Sequence, residues 1–329
     1  MNKKELELYI HIPFCVRKCS YCDFLSAPAT EQTREAYMAA LFAEIGGRAK
    51  DYSDRTVTSI FIGGGTPSLL SGEQIGQLMD RIREQFAMAQ DAEITMEVNS
   101  GTASAEKLRN FYTAGINRLS IGMQSAQAEE LKNLGRIHDF EGFCQVYREA
   151  VEAGFTNINV DIMSGLPGQT LASYRDTLEK VLHLEPMPQH ISAYSLIVEE
   201  GTPFAAMAER GELPLPEEET ERAMYEETIE VLAKYGFHRY EISNYAKAGY
   251  ECRHNEGYWQ RKDYLGLGLG AASLLGMERF SNTADMKEYI GNSAFPDKIR
   301  QNMESLTEAD EMAEFMFLGL RMTEGVSDR

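Results

Sequence analysis

Three cysteines near the start of the chain constrain what it can fold around more than any other feature. Cys15, Cys19 and Cys22 form a C-x3-C-x2-C pattern within the stretch YIHIPFCVRKCSYCDF, residues 9–24. Soft thiolates select iron–sulfur clusters, zinc or copper(I), and three of them leave one iron of a four-iron cluster open. A closed zinc site uses four ligands, and no fourth Cys or His follows at a suitable distance. The pattern therefore predicts a cluster with an open iron, with zinc as the alternative.

Net charge and cysteine content indicate which binding partners and which cellular compartment to expect. The chain has 329 residues, a 43% hydrophobic fraction and a formal net charge of −19, which argues against non-specific binding along nucleic acid. Five cysteines, without an apolar signal segment at the N-terminus, predict a reducing cytoplasm rather than a secreted disulfide framework. No run reaches the roughly 18 apolar residues of a membrane span, so any membrane contact is expected to be peripheral.

Predicted strands and helices alternate from the N-terminus onward. Short apolar runs give six strands, and amphipathic segments with helical spacing lie between them. One such helix is expected to begin with a capping box at Ser71 and Gln74. Repeated units of this kind imply a parallel sheet with crossover helices. The six strands are predicted at residues 6–12, 56–62, 94–98, 118–122, 157–163 and 190–196.

Polar residues at the ends of these strands decide which kind of parallel sheet is expected. A doubly wound sheet concentrates its site at one switch point, whereas a barrel gathers it from all strand ends. Every predicted strand contributes, so we expect an α/β fold with a six-unit, TIM-like partial (β/α)6 barrel that opens laterally. The polar positions are the Cys15 loop, Gly64 to Thr66, Glu97 with Asn99, Gln124, Asp161 and Ser195.

The composition changes after Gly211. The stretch that follows is strongly acidic and predicts a linker and a helix; its sequence is LPLPEEETERAMYEETIEVLAKYG. We therefore expect residues 1–210 to form the barrel and residues 211–329 to form a linker helix and a smaller C-terminal α+β domain. A helix is predicted from Glu308, and the sequence stops shortly after it without a clear closing element.

Several polar residues are candidates for ligand binding. The run Gly63–Thr66 offers bare backbone to a polar ligand, although such a run also makes a tight turn. Glu97, Gln124 and Asp161 lie where alternation predicts apolar side chains, and a buried carboxylate needs a partner; the alternative is a solvated rim. Arg136 could clamp a carboxylate with its planar fork, or it is a surface cation.

His254, Tyr258 and Trp259 form a second constellation. An imidazole beside two aromatic rings suits a flat metallated macrocycle, with the histidine as axial ligand and the rings stacking on it. A single histidine is more commonly structural, so the residues by themselves leave both interpretations open.

These motifs together resemble the radical S-adenosylmethionine (SAM) superfamily, in its branch of oxygen-independent coproporphyrinogen III oxidase-like proteins. The resemblance runs along nearly the whole chain. Members of this family extend past residue 329, so the resemblance implies that the C-terminal domain is incomplete here. It is carried by YIHIPFCVRKCSYCDF, FIGGGTPS, EVNSGT, RLSIGMQS, LGRIH, NVDIMSGLPGQT, YEISNYA and RHNEGYW.

The resemblance implies a 4Fe-4S cluster on Cys15, Cys19 and Cys22, with the amine and carboxylate of SAM on the open iron. In this family the glycine loop meets the methionyl amine, Arg136 its carboxylate, and Asp161 and Gln124 the ribose. The positions that match SAM-pocket residues of the family are Tyr9, Tyr21, Gly64, Gly65, Thr66, Glu97, Gln124, Arg136, Asp161 and Ser195.

Two departures from the oxidases point to the heme chaperones of the same family. The oxidases carry a further cysteine where this chain has Phe24, and they have a longer N-terminal extension. The HNxxYW pattern that contains His254 also matches the chaperones. The resemblance therefore implies a cytoplasmic protein that binds heme or another tetrapyrrole and passes heme to an accepting protein, with peripheral membrane contact and a homodimer left open. Oxidative decarboxylation of coproporphyrinogen III is the alternative, so whether the chain is an enzyme stays open.

Overall fold

A single twelve-stranded sheet runs through the protein. The computed structural model describes residues 3–326. The strands are β1 Lys4–Ile12, β2 Arg55–Gly64, β3 Ala87–Asn99, β4 Arg118–Gln124, β5 Ile158–Ser164, β6 His190–Ser195, β7 His238–Arg239, β8 Asn244–Ala246, β9 Tyr264–Leu267, β10 Ala272–Leu275, β11 Glu278–Asn282 and β12 Arg300–Ser305. The α-helices are α1 Glu31–Arg48, α2 Gly72–Gln85, α3 Ala105–Thr113, α4 Ala128–Leu134, α5 Phe140–Glu152, α6 Leu171–Leu182, α7 Pro203–Glu209, α8 Glu218–Lys234, α9 Arg253–Trp259, α10 Met286–Asn292, α11 Pro296–Ile299 and α12 Glu308–Gly319.

The first six strands form the barrel wall. They lie side by side in chain order, and each pairs in parallel with the next. Helices α1 to α6 lie between them in sequence, as right-handed crossover connections require. Within residues 3–326 the strand order is open, running from β12 at one edge to β7 at the other. The predicted α/β fold with a six-unit partial barrel is therefore confirmed.

Strand β1 shows why the barrel has an apolar outside and a polar inside. Successive side chains of a strand point to opposite faces. Leu6, Leu8 and Ile10 are fully buried in the core between the sheet and the helices. Glu7 and His11, at the alternate positions, point to the other face and are nevertheless buried. The barrel interior therefore holds polar groups that need partners or a ligand.

The helix that follows the glycine loop begins as its sequence predicts. Ser71 accepts a hydrogen bond from the backbone N–H of Gln74, whose side chain accepts one from the backbone N–H of Ser71. The apolar stripe of α2 is buried against the barrel wall. This cap determines where the chain turns away from the carboxyl end of β2, and so where the glycine loop ends.

The chain after Gly211 adds strands to both edges of the barrel sheet. Strand β9 pairs in parallel with β1, and β8 pairs antiparallel with β6. The division into two domains at residue 210 stays a prediction. Among residues 3–326, no helix has the length and apolar character that crossing a bilayer requires.

Candidate functional site

The carboxyl ends of the barrel strands surround a cavity of about 320 Å³. Parallel strands bring their carboxyl ends to one edge, so residues far apart in sequence meet there. The cavity brings together most of the residues predicted from the sequence. These are Cys15, Cys19, Tyr21, Cys22, Gly64, Gly65, Thr66, Glu97, Gln124, Arg136 and Asp161.

The cysteine loop forms the mouth of the cavity. Its ends are tied together, because the N–H of Ala27 donates to the carbonyl of Pro13 at 3.0 Å. All three cysteines are free and partly exposed, and the Thr66 hydroxyl lies 3.5 Å from the Cys15 sulfur. Burial raises the pKa of the Cys22 thiol, so an electropositive ligand is needed to hold it as thiolate.

These thiols suit a cluster better than a single ion. Among residues 3–326, no three His, Cys, Asp or Glu side chains converge so that they could hold one metal ion. A closed zinc site requires that convergence, whereas the thiolates of a four-iron cluster bind separate irons. The zinc alternative therefore has no support in the described part of the chain.

The glycine loop is held in a backbone conformation that a larger residue would not adopt. Gly64 has a φ of +110°, and a Cβ there would lie 2.4 Å from the His11 ring. The N–H of Gly65 donates to the carbonyl of Ile12 at 2.9 Å, which ties this loop to the strand that leads into the cysteine loop. The two loops therefore form one rigid rim.

Glu97 connects the glycine loop to β3. Its Oε2 accepts a hydrogen bond from the N–H of Gly64 at 3.0 Å. Burial and the nearby Asp161 carboxylate raise the pKa of Glu97 to about 7, although the Gly64 hydrogen bond acts in the opposite direction. Two carboxyl groups thus share one cavity, and a cationic ligand group would favour the ionised form of both.

Asp161 is oriented by its neighbours on β4 and β5. The Ser120 hydroxyl lies 3.1 Å from Asp161 Oδ2, and the Asn159 amide donates to Asp161 Oδ1 at 2.7 Å. Burial raises the pKa of Asp161, and these hydrogen bonds act against the increase. Arg136 also lines the cavity, and it donates to the carbonyl of Gly122, the β4 residue paired with Asp161, at 2.9 Å. The cavity therefore holds two carboxyl groups and a guanidinium.

Gln124 is a further special position in the cavity wall. It ends β4 with a φ of 69°, in the left-handed region that few residues other than glycine occupy. The pairing of β4 with β5 shifts register between Gly122 and Gln124. This irregularity marks the strand end from which Gln124 reaches the cavity.

Tyr9 and Ser195 do not line this cavity. The Tyr9 hydroxyl bonds His11 Nδ1 at 2.9 Å, and His11 Nε2 donates to the carbonyl of Leu25 at 2.8 Å. Tyr9 therefore acts on the cysteine loop through His11. Ser195 is exposed and lies 3.3 Å from the Ser164 hydroxyl. Its neighbours on β6, Ser192 and Tyr194, line the cavity instead.

His254 also lies outside the cavity, and it is only 1% exposed. Its Nδ1 is 2.8 Å from the Ser59 hydroxyl, and its Nε2 is 3.0 Å from the Tyr258 hydroxyl. Its ring stacks on Phe61, whose side chain lines the cavity. Burial lowers the pKa of His254 to about 3, so the imidazole is neutral. As placed, neither nitrogen is free to bind a ligand.

Sequence reasoning missed part of the cavity wall. Alternate positions of a strand share a face, so the parity of Gln124 and Asp161 could have identified the inward residues on β4 and β5. Asn255 belongs to the HNxxYW pattern, but no local signal places it at the cavity, because α9 reaches the cavity from a distant part of the chain. The missed lining residues include Arg118, Ser120, Asn159, Ser192, Tyr194 and Asn255.

Comparisons with known proteins agree with this architecture. The profile of the radical SAM superfamily matches residues 9–181. The chain is similar to coproporphyrinogen III oxidase (HemN) from Escherichia coli, a radical SAM enzyme. The two structures superpose with a TM-score of 0.85 at 29% identity, covering 98% of this chain and 76% of that one.

Sequence relatives narrow the family further. The heme chaperone HemW of Bacillus subtilis (strain 168) is 40% identical over 98% of this chain and 84% of its own length. HemW of Escherichia coli (strain K12) is 42% identical over 81% of this chain and 69% of its own. The mitochondrial radical S-adenosyl methionine domain-containing protein 1 of Danio rerio is 33% identical over 98% of this chain and 74% of its own. The chain therefore belongs to the radical SAM superfamily and, within it, to the family of the heme chaperone HemW.

Proposed function

We propose that this protein is a heme chaperone that binds a 4Fe-4S cluster, SAM and heme, and passes heme to a heme-requiring protein. The observation that carries the proposal is the 37–42% identity to proteins named heme chaperone HemW. Delivery in the cytoplasm, a homodimer and peripheral membrane contact stay predictions.

Cys15, Cys19 and Cys22 would hold the cluster. Their partial exposure at the cavity mouth leaves room for a cluster that faces both the cavity and the protein surface. When bound and reduced, such a cluster supplies one electron for cleavage of a carbon–sulfur bond of SAM. The protein's own contribution is to orient the thiolates, and the bonded chain from Tyr9 through His11 to Leu25 steadies the loop that carries them.

The cavity polar groups would bind SAM. Glu97, which also holds the glycine loop through Gly64, offers a carboxylate for the methionyl ammonium. The Arg136 guanidinium suits the methionyl carboxylate, because its planar fork matches carboxylate geometry. Asp161, held by Ser120 and Asn159, offers acceptors for ribose hydroxyls. Buried groups that already have defined partners lose little freedom when the ligand binds.

Phe24 supports delivery rather than porphyrin synthesis. It stands where the resembling oxidases have a further cysteine, and its side chain is 58% exposed at the cavity mouth. A phenyl ring can neither transfer a hydrogen atom as a thiol does nor bind a metal. Phe24 therefore cannot replace the additional cysteine of the oxidases.

Oxidative decarboxylation of coproporphyrinogen III is the second candidate. It is favoured by the structural similarity to HemN, at a TM-score of 0.85. The cavity that we assign to SAM would serve both functions, so the cavity by itself does not separate them.

Anaerobic cluster reconstitution followed by two assays tests the proposal. We expect heme to bind and to be transferred to an apo-hemoprotein, and coproporphyrinogen III to remain unchanged with SAM and reductant. Decarboxylation without heme uptake would overturn the chaperone proposal in favour of the second candidate. Loss of heme transfer with intact heme binding would show that binding serves another purpose.

A further inference from the structure

Arg118 is a buried cation without an ion pair at the inner end of the cavity. It begins β4, lines the cavity and is 2% exposed. Within residues 3–326 its guanidinium forms no ion pair, and its Nε has no hydrogen-bond partner. Arg48, the other fully buried arginine of that range, instead pairs with Glu44 at 2.8 Å and donates to Asn282 at 2.6 Å. Burying an unpaired guanidinium is costly, and a bound anion would remove that cost.

The carboxyl groups whose charges act on Arg118 already have other partners. Glu93 accepts hydrogen bonds from the backbone N–H groups of Arg253 and His254, each at 3.2 Å, at the start of α9. Asp161 is held by its neighbours on β4 and β5. Burial acts to lower the pKa of Arg118, but nearby groups, Glu93 and Asp161 among them, raise it on balance, so the guanidinium stays charged. A cation therefore remains available to an additional anion.

Two further side chains line the cavity close to Arg118, and we call the three together the cavity floor: Arg118, Asn255 and Phe61. Burial and the charge of Arg118 lower the pKa of His254, so the start of α9 lies near this guanidinium. Asn255 follows His254 in the chain, and the Phe61 ring stacks on the His254 ring. The Asn255 side chain forms no hydrogen bond with the described residues. The floor thus offers a cation, a free amide and an aromatic ring.

The floor lies away from the guanidinium that we assign to the carboxylate of SAM. That group belongs to Arg136, which bonds the carbonyl of Gly122, four residues along β4 from Arg118. A strand rises about 3.3 Å per residue, so about 13 Å of strand separates the two positions. The charges that act most on Arg118 are those of Cys252 and Glu93, and Glu93 lies on the side of Arg118 away from the rim. One carboxylate is therefore not expected to reach both guanidinium groups.

A single carboxylate on an apolar body fits the floor best. The planar fork of a guanidinium matches the two oxygens of a carboxylate. A phosphate carries nearly two negative charges at neutral pH, and the Glu97 and Asp161 carboxyl groups in the same cavity would repel it. Apolar side chains line the rest of the inner wall, among them Phe61, Val98 and Met163. These side chains favour a hydrocarbon part of the ligand over a polar one.

We infer that the cavity floor is a second subsite, where Arg118 and Asn255 bind the carboxylate of a ligand other than SAM. The guanidinium pairs with the carboxylate oxygens, and the Asn255 amide donates a further hydrogen bond. The apolar part of this ligand lies beside Phe61, between the floor and SAM. This inference goes beyond the proposed function, because it gives the cavity a second occupant, and it rests on that function in assigning the rim to SAM.

Titration with 3-phenylpropionate, in reconstituted protein with SAM bound, tests the floor. We expect this carboxylate to bind about 10-fold or more tightly than the neutral 3-phenylpropionamide, because only the carboxylate pairs with a guanidinium. Arg118→Gln should lose the preference and keep SAM affinity within about 2-fold. Arg222→Gln removes a charge from the exposed face of α8 and should keep the preference. Calorimetry measures both affinities, with circular dichroism as a check of folding.

Asn255→Ala tests the same subsite without removing a buried charge, so it remains informative if Arg118→Gln does not fold. We expect about 3-fold weaker binding of 3-phenylpropionate, from loss of one neutral hydrogen bond, and unchanged SAM affinity. Equal affinity for 3-phenylpropionate in the unaltered protein, Asn255→Ala and Arg118→Gln would overturn the subsite.

Competition separates the two sources of a carboxylate. If 3-phenylpropionate displaces SAM, or if Arg118→Gln weakens SAM binding about 10-fold, then the carboxylate of SAM itself lies on Arg118, and the second subsite is overturned. Heme transfer is measured on the same preparation. Heme transfer without any binding of 3-phenylpropionate would end only this inference, whereas binding of 3-phenylpropionate without heme transfer would end only the chaperone proposal.

Discussion

The carboxylate of Glu97 accepts a hydrogen bond from the backbone N–H of Gly64 at 3.0 Å, and this contact joins β3 to the glycine loop. A single side chain thereby both holds the loop against β3 and contributes to the charge of the cavity. The same group is buried, with a pKa raised to about 7. Its protonation therefore changes near neutral pH.

SAM affinity should depend on the ionisation of Glu97. An ionised carboxylate attracts the methionyl ammonium, so we expect affinity to rise as pH rises through about 7. Glu97→Gln should weaken SAM binding about 10-fold or more and remove this pH dependence. Calorimetric titration across the pH range measures both effects. Glu130→Gln is the control, since Glu130 is a buried, hydrogen-bonded carboxylate on α4 outside the cavity; identical pH profiles for Glu97→Gln and the unaltered protein would contradict the prediction.

Cys19→Ala should abolish the visible absorbance of the reconstituted cluster, because two thiolates cannot hold it. Cys144→Ala should retain that absorbance, since Cys144 lies on α5 and does not line the cavity. Iron and sulfide content, measured on both variants, checks the result. A full cluster in Cys19→Ala would remove this residue from the ligand set.

Gly64→Ala should disturb the glycine loop. The φ of +110° and the 2.4 Å approach of a Cβ to the His11 ring both oppose the substitution. We expect a loss of about 1–3 kcal/mol in the free energy of unfolding, together with weaker SAM binding.

Gly76→Ala is the matched control for that substitution. Gly76 lies within α2, and no atom comes within 4 Å of an added Cβ. Alanine should stabilise this helix by about 0.5–1 kcal/mol. Urea unfolding of both variants measures the difference. Equal stability of the two would show that the loop tolerates a side chain at Gly64.

Glu7 should make the protein less stable as pH rises. It is 1% exposed, its Oε2 has no hydrogen-bond partner among residues 3–326 and lies 3.9 Å from His254 Nδ1, and burial raises its pKa from 4.5 to about 8. Between these values the unfolded chain has released a proton that the folded protein keeps. The free energy of unfolding therefore falls as pH rises from about 4.5 to about 8, by up to ~1.4 kcal/mol per pH unit.

The Glu7→Gln variant should not show this fall in the free energy of unfolding. It should be more stable than the unaltered protein at pH values above about 8. Urea unfolding at several pH values measures the difference between the two proteins, which isolates Glu7 from other titrating groups. Glu5→Gln, at an exposed position of the same strand, is the control. Parallel stability profiles for Glu7→Gln and the unaltered protein would show that Glu7 is ionised in the folded state.

Local patterns predicted much of the barrel. The six strands appear where apolar runs predicted them, although β3 begins at Ala87 rather than near Ile94. The capping box at Ser71 is present as expected. Most residues expected around SAM do surround one cavity. Such features follow from neighbours in sequence or from the shared direction of parallel strands.

Strand parity and long-range packing were harder to foresee. Ser195 was expected at the site, but Ser192 and Tyr194 line the cavity, because adjacent residues of a strand point to opposite faces. His254 was predicted as a candidate axial ligand of heme, with a structural role as the alternative, and Ser59 and Tyr258 lie within hydrogen-bond distance of its two nitrogens. Which face of β6 points to the cavity, and the contact between His254 and Ser59 on β2, depend on how these elements pack together.

The sequence by itself determined the three-thiolate loop, the glycine loop and the positions of the six strands along the chain, because spacing and periodicity are local properties. Tertiary structure alone decided that α9 brings Asn255 to the cavity and places His254 behind Phe61. The physical reason is that β9, far along the chain, pairs with β1, and this pairing determines which buried face α9 covers. One short stretch of sequence sets the spacing of the thiolates, whereas the surroundings of His254 arise only when α9 packs against β2.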